Sequence, residues 1–479
     1  MLHHLESERF EELAREQLGK DSQRAALARA TTLIGERRSA AVAELPEWEA
    51  LRTQAAAIKD EVIGRLDEHL ERFAERLEEI GCIVHWARDH DEACAAVAGI
   101  AKQVGAETIA KSKSMVTEEI GLNAALEKEG YRPVETDLGE WIIQLAHEPP
   151  SHIIAPAIHK TKEDVGALFA RELAVEETHD IDALTNMARS FLRRTFAAAD
   201  LGVSGVNFAV AETGTILILE NEGNARLTTS LPRTHVALMG IEKVIPRFCD
   251  LEVFLRLLPR SGTGQTLTSY QSLLTGVDPD EGPDQLHIVI LDNGRAGMLA
   301  EDITRQSLAC IRCGACLNSC PVYKEIGGHA YGSVYPGPIG AVITPQLSGV
   351  EKAHRLPFAS SLCGACRDVC PVKIDLPALL LHLRARIVER RGLPHSSGAS
   401  PPLPRRLGKR ITFRLWAWAM AGPRRYRFAT WLGRRLARHP RLARRLAPLA
   451  AWSQTRELPR PALRPFRNLW AQRERGGRP

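Results

Sequence analysis

The sequence predicts an α/β domain entered through a helical arm and followed by a mainly α-helical domain and a basic tail. Three observations carry that prediction. Apolar residues recur at three- and four-residue intervals before residue 80, short apolar strands alternate with helical stretches over 81–295, and seven of the ten cysteines crowd between Cys310 and Cys370. A chain of 479 residues is too long for one ordinary core, so several domains are expected. They are the arm over 1–80, the α/β domain over 81–295, a cysteine-bearing domain over 300–392 and the tail over 393–479.

In the arm, Phe10, Leu13 and Leu18, then Val62, Leu66, Leu70 and Phe73, mark apolar helix faces with charges between them. The heptads do not persist, which predicts antiparallel helices packed on the next domain rather than a free coiled coil. Strands are expected at 82–87, 108–110, 141–145, 152–155, 208–211, 215–219, 235–239 and 286–291, with a helix over about 91–104. Thr117 is the expected N-cap of a helix whose first turn holds Glu118 and Glu119, where the helix dipole favours acids. The Gly/Pro-rich stretch between Cys320 and Cys363 reads as a fixed loop, 376–391 as a helix and 394–404 as a linker.

A hydrophobic content of 44% and a charged content of 25% are those of a soluble globular protein. No run approaches the roughly 20 apolar residues that cross a bilayer. The start, Met1-Leu2-His3-His4-Leu5-Glu6, lacks the basic and apolar regions of a signal peptide, so a cytoplasmic location is expected. The net charge of +5 divides unevenly. Residues 401–479 hold 21 Lys/Arg against two acids, Glu457 and Glu474, whereas the first 400 residues hold 42 against 56. The body is acidic and the tail strongly basic.

The cysteines carry the chemistry. Clustered in a large chain without a secretion signal, they point to metal rather than to a disulfide framework. The first motif, Cys310-Ile311-Arg312-Cys313-Gly314-Ala315-Cys316-Leu317-Asn318-Ser319-Cys320-Pro321, is the C-x2-C-x2-C-x3-C-P run of bacterial two-cluster ferredoxins. The second is Cys363-Gly364-Ala365-Cys366-Arg367-Asp368-Val369-Cys370-Pro371. By the crossover rule, in which the cysteine before proline serves the other cluster, Cys310, Cys313, Cys316 and Cys370 complete one [4Fe–4S] cluster, and Cys320, Cys363 and Cys366 hold a second. The second has only three thiolates. Ser360 stands where a complete motif would have its first cysteine, which leaves a non-cysteine ligand, solvent or a [3Fe–4S] cluster open. A closed zinc site with four cysteine ligands would leave three cysteines over. Cys82, Cys94 and Cys249 read as ordinary buried thiols.

With these motifs the chain resembles the LutB-type lactate-utilisation iron–sulfur proteins over nearly its whole length. The resemblance also rests on Trp48-Glu49-Ala50-Leu51-Arg52, His85-Trp86-Ala87, Lys111-Ser112-Lys113-Ser114-Met115, Glu135-Thr136-Asp137-Leu138-Gly139-Glu140, Ala211-Glu212-Thr213-Gly214-Thr215 and Leu231-Pro232-Arg233-Thr234-His235. It implies an α/β fold related to the sugar-phosphate isomerase and CoA-transferase group. It further implies a cytoplasmic subunit that relays electrons as L-lactate becomes pyruvate. The implied partners are a cysteine-rich iron–sulfur subunit and a smaller protein sharing the α/β domain.

In the α/β domain, the turn at Gly214 can take a positive φ, and its amides with the Thr213 and Thr215 hydroxyls are candidates to hold an anion. Lys111, Ser114, Asn224 and Arg226 are further candidates for that pocket, with Glu212 as base or orienting carboxylate; a plain hairpin turn is the competing reading. His152, His159 and His235 read as structural. No G-x-G-x-x-G loop follows a strand, which argues against a nucleotide cofactor bound in that way. In the tail, arginines alternate with Trp416, Trp418, Trp431, Trp452 and Trp470, and Leu432, Leu436 and Leu449 fall at helical spacing. Such a helix suits docking against the acidic body, within the chain or with a partner, first and an anionic membrane second. No nucleic-acid reading module accompanies it. Three functions compete: an electron-transfer subunit, an enzyme converting an organic acid in the α/β pocket, and a redox-sensing regulator.

Overall fold

The computed structural model describes residues 2, 5–278, 280, 282–389, 403–437, 462 and 464–475. It divides into two compact units, Met1–Gly398 and Ala399–Pro479. Among the described residues of the first unit run ten strands: β1 (Ile83–Ala87), β2 (Thr108–Lys111), β3 (Arg132–Glu135), β4 (Leu201–Gly205), β5 (Phe208–Val210), β6 (Thr215–Glu220), β7 (Thr234–Gly240), β8 (Val244–Ile245), β9 (Tyr270–Leu274) and β10 (Gln285–Leu291). Six of them form a parallel sheet in the order β1-β10-β7-β4-β2-β3. Strand β7 is buried at every residue and β10 at all but its first, as parallel strands covered on both faces require. The other four form a smaller sheet, β8-β5-β6-β9, in which β5 and β6 are an antiparallel hairpin.

Helices Phe10–Leu18, Asp21–Ala43, Trp48–Gly64 and Leu66–Glu79 precede the sheets. The Leu66–Glu79 helix buries Leu66, Leu70, Phe73 and Leu77 on one face. One apolar core runs from Trp48 and Leu51 through Phe208 and Phe254 to Leu317, Tyr323, Tyr331 and Tyr335. The cysteine-bearing segment is therefore built into the same packing as the arm and the smaller sheet.

Several expectations are corrected. Residues 141–145 lie in the helix Leu138–Leu145, where the apolar run packs Trp141 and Ile142 against Phe169 and Leu184. Asp137 caps that helix, accepting from Glu140 N, which fixes it as helix rather than strand. Residues 152–155 form an irregular segment held by His152 Nδ1, which accepts from Ile154 N and Ala155 N at 3.0 and 3.1 Å. Ser114, not Thr117, caps the helix Met115–Ile120. Strands β3, β4, β8 and β9 are short or glycine-bearing and carry no apolar run long enough to read. The stretch between the cysteine motifs is not all loop: Gly337–Ser348 is a helix buried along its whole length, begun with Pro338 where no amide partner is needed.

In the second unit, helices span Leu403–Met420, Pro423–Ala437 and Phe466–Glu474. Guanidinium groups lie over indoles there, Arg435 at 4.6 Å from the Trp431 ring and Arg425 at 5.5 Å from Trp418. Trp452, Leu449 and the linker up to residue 402 lie outside the described residues. Among the described residues, no helix is long and apolar enough to cross a membrane.

Candidate metal centre

The two cysteine motifs have the same backbone. Arg312 and Leu362, at φ 59° and 56°, precede Cys313 and Cys363; Gly314 and Gly364, at φ 73° and 89°, follow them. Left-handed residues on both sides of a cysteine curl the chain around one point, so that successive thiols face inward. At Gly314 a Cβ would also press on His152 at 3.2 Å, which restricts that position to glycine twice over. A short helix then starts in each motif, Ala315–Ser319 and Ala365–Asp368. Proline follows Cys320 and Cys370 in both.

None of the ten cysteines is in a disulfide. Five of the seven motif cysteines are buried, Cys310 is half-buried and Cys363 is exposed. Their mutual charge effects fall into two sets. Burial raises the Cys313, Cys316 and Cys370 thiols, Cys370 to about 11; Cys310 opposes the ionisation of all three, Cys370 that of Cys313 and Cys316, and Cys313 that of Cys316. Burial likewise raises Cys320 and Cys366, the latter to about 12, and here the opposing charges are Cys363 and, for Cys366, Cys320. Neither set is a run of consecutive cysteines: these charge effects link Cys370 to the first motif and Cys320 to Cys363 and Cys366 of the second.

Backbone amides point at the sulfurs. Arg312 N donates to Cys310 Sγ and Ile374 N to Cys370 Sγ, both at 3.4 Å. Buried thiols whose charges oppose one another resist ionising together, and amides aimed at them favour the thiolate form, so the donor set fits a multi-iron cation centre. Arginines of the arm secure the Cys370 turn. Arg52 donates to the Cys370 carbonyl at 2.8 and 3.0 Å, and Arg38 to the Val369 carbonyl at 3.1 Å.

From the first motif a buried ion network leads to the C-terminal edge of the parallel sheet. Arg312 reaches Glu242 at 3.4 Å; Arg295 binds Glu242 at 2.6 Å and Glu119 at 2.8 and 2.9 Å; Tyr335 donates to Glu119 at 2.6 Å. Arg295 and the two glutamates are almost fully inaccessible. Burial opposes the charge on Glu242, but Arg295 and Arg312 outweigh it and hold the carboxyl at about 2. Lys59 and Lys243 stand nearby, both lowered to about 8 by burial. Sequence reasoning missed this network. Arg312 sits inside the cysteine motif, but the rest of the network comes from the ends of β7 and β10, the helix after β2 and Tyr335.

The predicted anion pocket is divided by the structure. Lys111, at the end of β2, is buried between Glu118 at 3.0 Å and Glu135. Ser114 packs against Gly205 at the end of β4, and Asn224 donates to Thr136 Oγ1 at 3.4 Å, whose hydroxyl donates to the Lys111 carbonyl at 3.0 Å. These three therefore share one edge of the large sheet. Glu212, Thr213, Gly214 and Thr215 belong to the hairpin of the smaller sheet. There a Cβ at Gly214 would press on Arg76 and Leu77 of the Leu66–Glu79 helix, Thr215 bonds both Thr213 and Thr275, and Glu212 accepts from Phe248 N at 2.9 Å. Strand β6 separates the groups, since six residues at about 3.3 Å each carry Asn224 roughly 20 Å from the turn. Arg226 is exposed, and its backbone N donates to Glu220. The sheet edge instead collects Glu135, Asp137 and Glu140, all raised by burial, with Lys113 3.8 Å from Glu140. Ser112 Oγ and Glu140 Oε1 there are buried without a hydrogen-bond partner.

Of the remaining cysteines, burial raises Cys82 and Cys94 to about 11, whereas Cys249 is exposed rather than buried. His159 bonds Glu148 at 2.7 Å and His235 bonds Ser204 at 2.8 Å.

A parallel α/β domain joined to a segment carrying two thiol sets defines a class, and the comparisons agree with it. Residues 70–291 match the LUD domain family, 306–374 the 4Fe-4S dicluster domain, and 383–475 the family described as lactate utilisation protein B, C-terminal. The chain is 43% identical to "Lactate utilization protein B" of Geobacillus kaustophilus over 99% of both chains. It is 42% identical to that of Bacillus pumilus over 97% of this chain and 98% of the relative, and 40% identical to that of Bacillus subtilis over 97% and 96%. The chain belongs to the lactate utilisation protein B family. It is an iron–sulfur protein of lactate utilisation. A solved DUF162 family protein from Deinococcus radiodurans is similar over 47% of this chain and 98% of its own, at 14% identity and a TM-score of 0.27, which carries no argument about the fold.

Proposed function

We propose that the chain is an electron-transfer subunit of a cytoplasmic system that oxidises L-lactate to pyruvate. The observation that carries this reading is the pair of crossed thiol sets inside one shared core. Cys310, Cys313, Cys316 and Cys370 would hold one [4Fe–4S] cluster, and Cys320, Cys363 and Cys366 the second. Bound there, such clusters supply one-electron transfer and no substrate chemistry of their own. The chain's contribution is to bury the thiolates, to aim amides at them and to fix the cysteine turns through Arg38 and Arg52. The network through Arg312 ties the first site to the sheet edge where α/β proteins commonly bind ligands.

The names of the relatives support the lactate assignment. The partners this reading requires are a cysteine-rich iron–sulfur subunit and a smaller α/β lactate-utilisation subunit, and the basic tail is the surface we assign to docking. We also assign the α/β part to the fold of the sugar-phosphate isomerase and CoA-transferase group. A second reading, substrate chemistry at the α/β edge, draws on Ser112 Oγ and Glu140 Oε1, buried without a hydrogen bond, the latter 3.8 Å from the Lys113 ammonium.

The test uses anaerobically purified protein with lactate and an artificial electron acceptor, alone and with both partners. The relay reading expects no turnover by the isolated chain and lactate-dependent reduction by the assembly. Turnover by the chain alone would overturn it in favour of the second reading.

A further inference from the structure

The second thiol set is one ligand short, and the two motifs superimpose on a fixed offset of fifty residues. Cys313, Gly314, Ala315, Cys316, Cys320 and Pro321 correspond to Cys363, Gly364, Ala365, Cys366, Cys370 and Pro371. The offset holds in the backbone as well as the sequence. The left-handed residues Arg312 and Leu362 correspond, as do the left-handed glycines and the first residues of the two short helices. Carried back to the first ligand, it pairs Cys310 with Ser360.

The hydrogen bonding at these two positions is the same. Arg312 N donates to Cys310 Sγ at 3.4 Å, and Leu362 N donates to Ser360 Oγ at 3.1 Å. The serine oxygen thus occupies the place in its turn that the ligand sulfur occupies in the other. An amide-to-hydroxyl bond over two residues is also an ordinary serine turn. Here it does not compete with ligation, because Cys310 accepts the equivalent bond while serving as the expected ligand. A 3-10 turn precedes both residues, Thr304–Ala309 and Leu356–Phe358. Arg384 holds the second one in place, donating to the Pro357 carbonyl at 2.7 Å and to the Ser360 carbonyl at 2.9 Å.

Resting on the proposed cluster reading, we infer that Ser360 Oγ is the fourth protein ligand of the second cluster, which makes both clusters four-iron cubanes on one repeated frame. Ligation exchanges the O–H bond of Ser360 for an Fe–O bond. The proton leaves to water, which reaches this segment because Ser361 and Cys363 are exposed, and no electron is transferred. The oxygen is a harder ligand than thiolate, so the fourth iron is distinct from the other three. No other cysteine competes: Cys82 is buried in the core between the arm and β10, Cys94 is half-buried against the opposite face of the sheet, and Cys249 is exposed beside the smaller sheet.

The test is iron and sulfide content with electron paramagnetic resonance and Mössbauer spectra of the full chain, prepared anaerobically, as wild type, Ser360→Ala and Ser360→Cys. The inference expects about eight irons per wild-type chain and no three-iron signal. It expects Ser360→Ala to lose about one iron and to show the paramagnetic signal of an oxidised three-iron cluster. Ser360→Cys should keep all the iron, abolish the distinct Mössbauer site and raise the midpoint potential of that cluster. A three-iron cluster in the wild type would overturn the inference, and so would a Ser360→Ala protein that keeps its full iron content and a wild-type spectrum. Should Ser360→Ala fail to fold, the wild-type spectrum and Ser360→Cys still decide. Zinc in place of iron would overturn the cluster reading itself, a different result from either of these.

Discussion

Arg295 shows at the residue scale how one charge is held in the interior. Its guanidinium lies between Glu119 and Glu242, and all three side chains are almost inaccessible. Replacing it with methionine leaves two buried carboxylates facing each other, and loss of one partner of a buried pair costs about 3–5 kcal/mol. Chemical denaturation of Arg295→Met should show that loss, and Arg295→Lys should recover little, because a single ammonium cannot bridge both carboxylates. The buried histidines set an acid limit. Burial lowers His152 to about 4 and His235 to about 3, against about 6.5 in an unfolded chain. Between those values the unfolded chain binds the extra proton. The stability they confer is therefore complete above about pH 6.5 and falls with pH below it, by about 1.4 kcal/mol per pH unit for each histidine. Denaturation midpoints measured from pH 7 to pH 5 should fall accordingly, with a shallower slope in His235→Asn. At this scale the cysteine register and the gap at Ser360 were legible, because ligand spacing is local. The Arg295 network was not, since Glu119 lies 176 residues away in sequence.

At the scale of elements, the helix Gly337–Ser348 is the most constrained piece. It is buried on every side, and a Cβ at Gly340 would stand 1.8 Å from the Tyr335 carbonyl oxygen. Overpacking of that kind costs about 1–3 kcal/mol or more. Gly340→Ala should lower the thermal midpoint by several degrees and loosen the Tyr335–Glu119 contact that borders the ion network, while an alanine at the open position Gly99 should not. The central strands β7 and β10 were readable because parallel strands buried on both faces are continuous apolar runs. The same logic misassigned 141–145, where an equally apolar run is a helix set by the Asp137 cap. Periodicity over five residues does not separate the two states, and the cap residue does.

For the whole molecule, the charge asymmetry gives the clearest expectation. The described tail exposes Trp416, Trp418 and Trp431 among arginines, a surface suited to an acidic partner. Its association with the proposed partner subunits should weaken strongly as salt rises from about 0.05 to 0.5 M, where the screening length shrinks from above 10 Å to a few Å. Association insensitive to salt in sedimentation would mean that the tail's charge does not drive docking. The division into an acidic body and a basic tail was legible from composition. The continuity of one core from the arm to the cysteine turns was not, because it depends on contacts between segments hundreds of residues apart.

Metal analysis of freshly prepared anaerobic protein tests the central claim most directly, with electron paramagnetic resonance before and after dithionite. Two thiol-held clusters predict brown protein with about seven or eight irons and matching acid-labile sulfide per chain, and new paramagnetism on reduction. Colourless protein containing zinc and no labile sulfide would contradict the account.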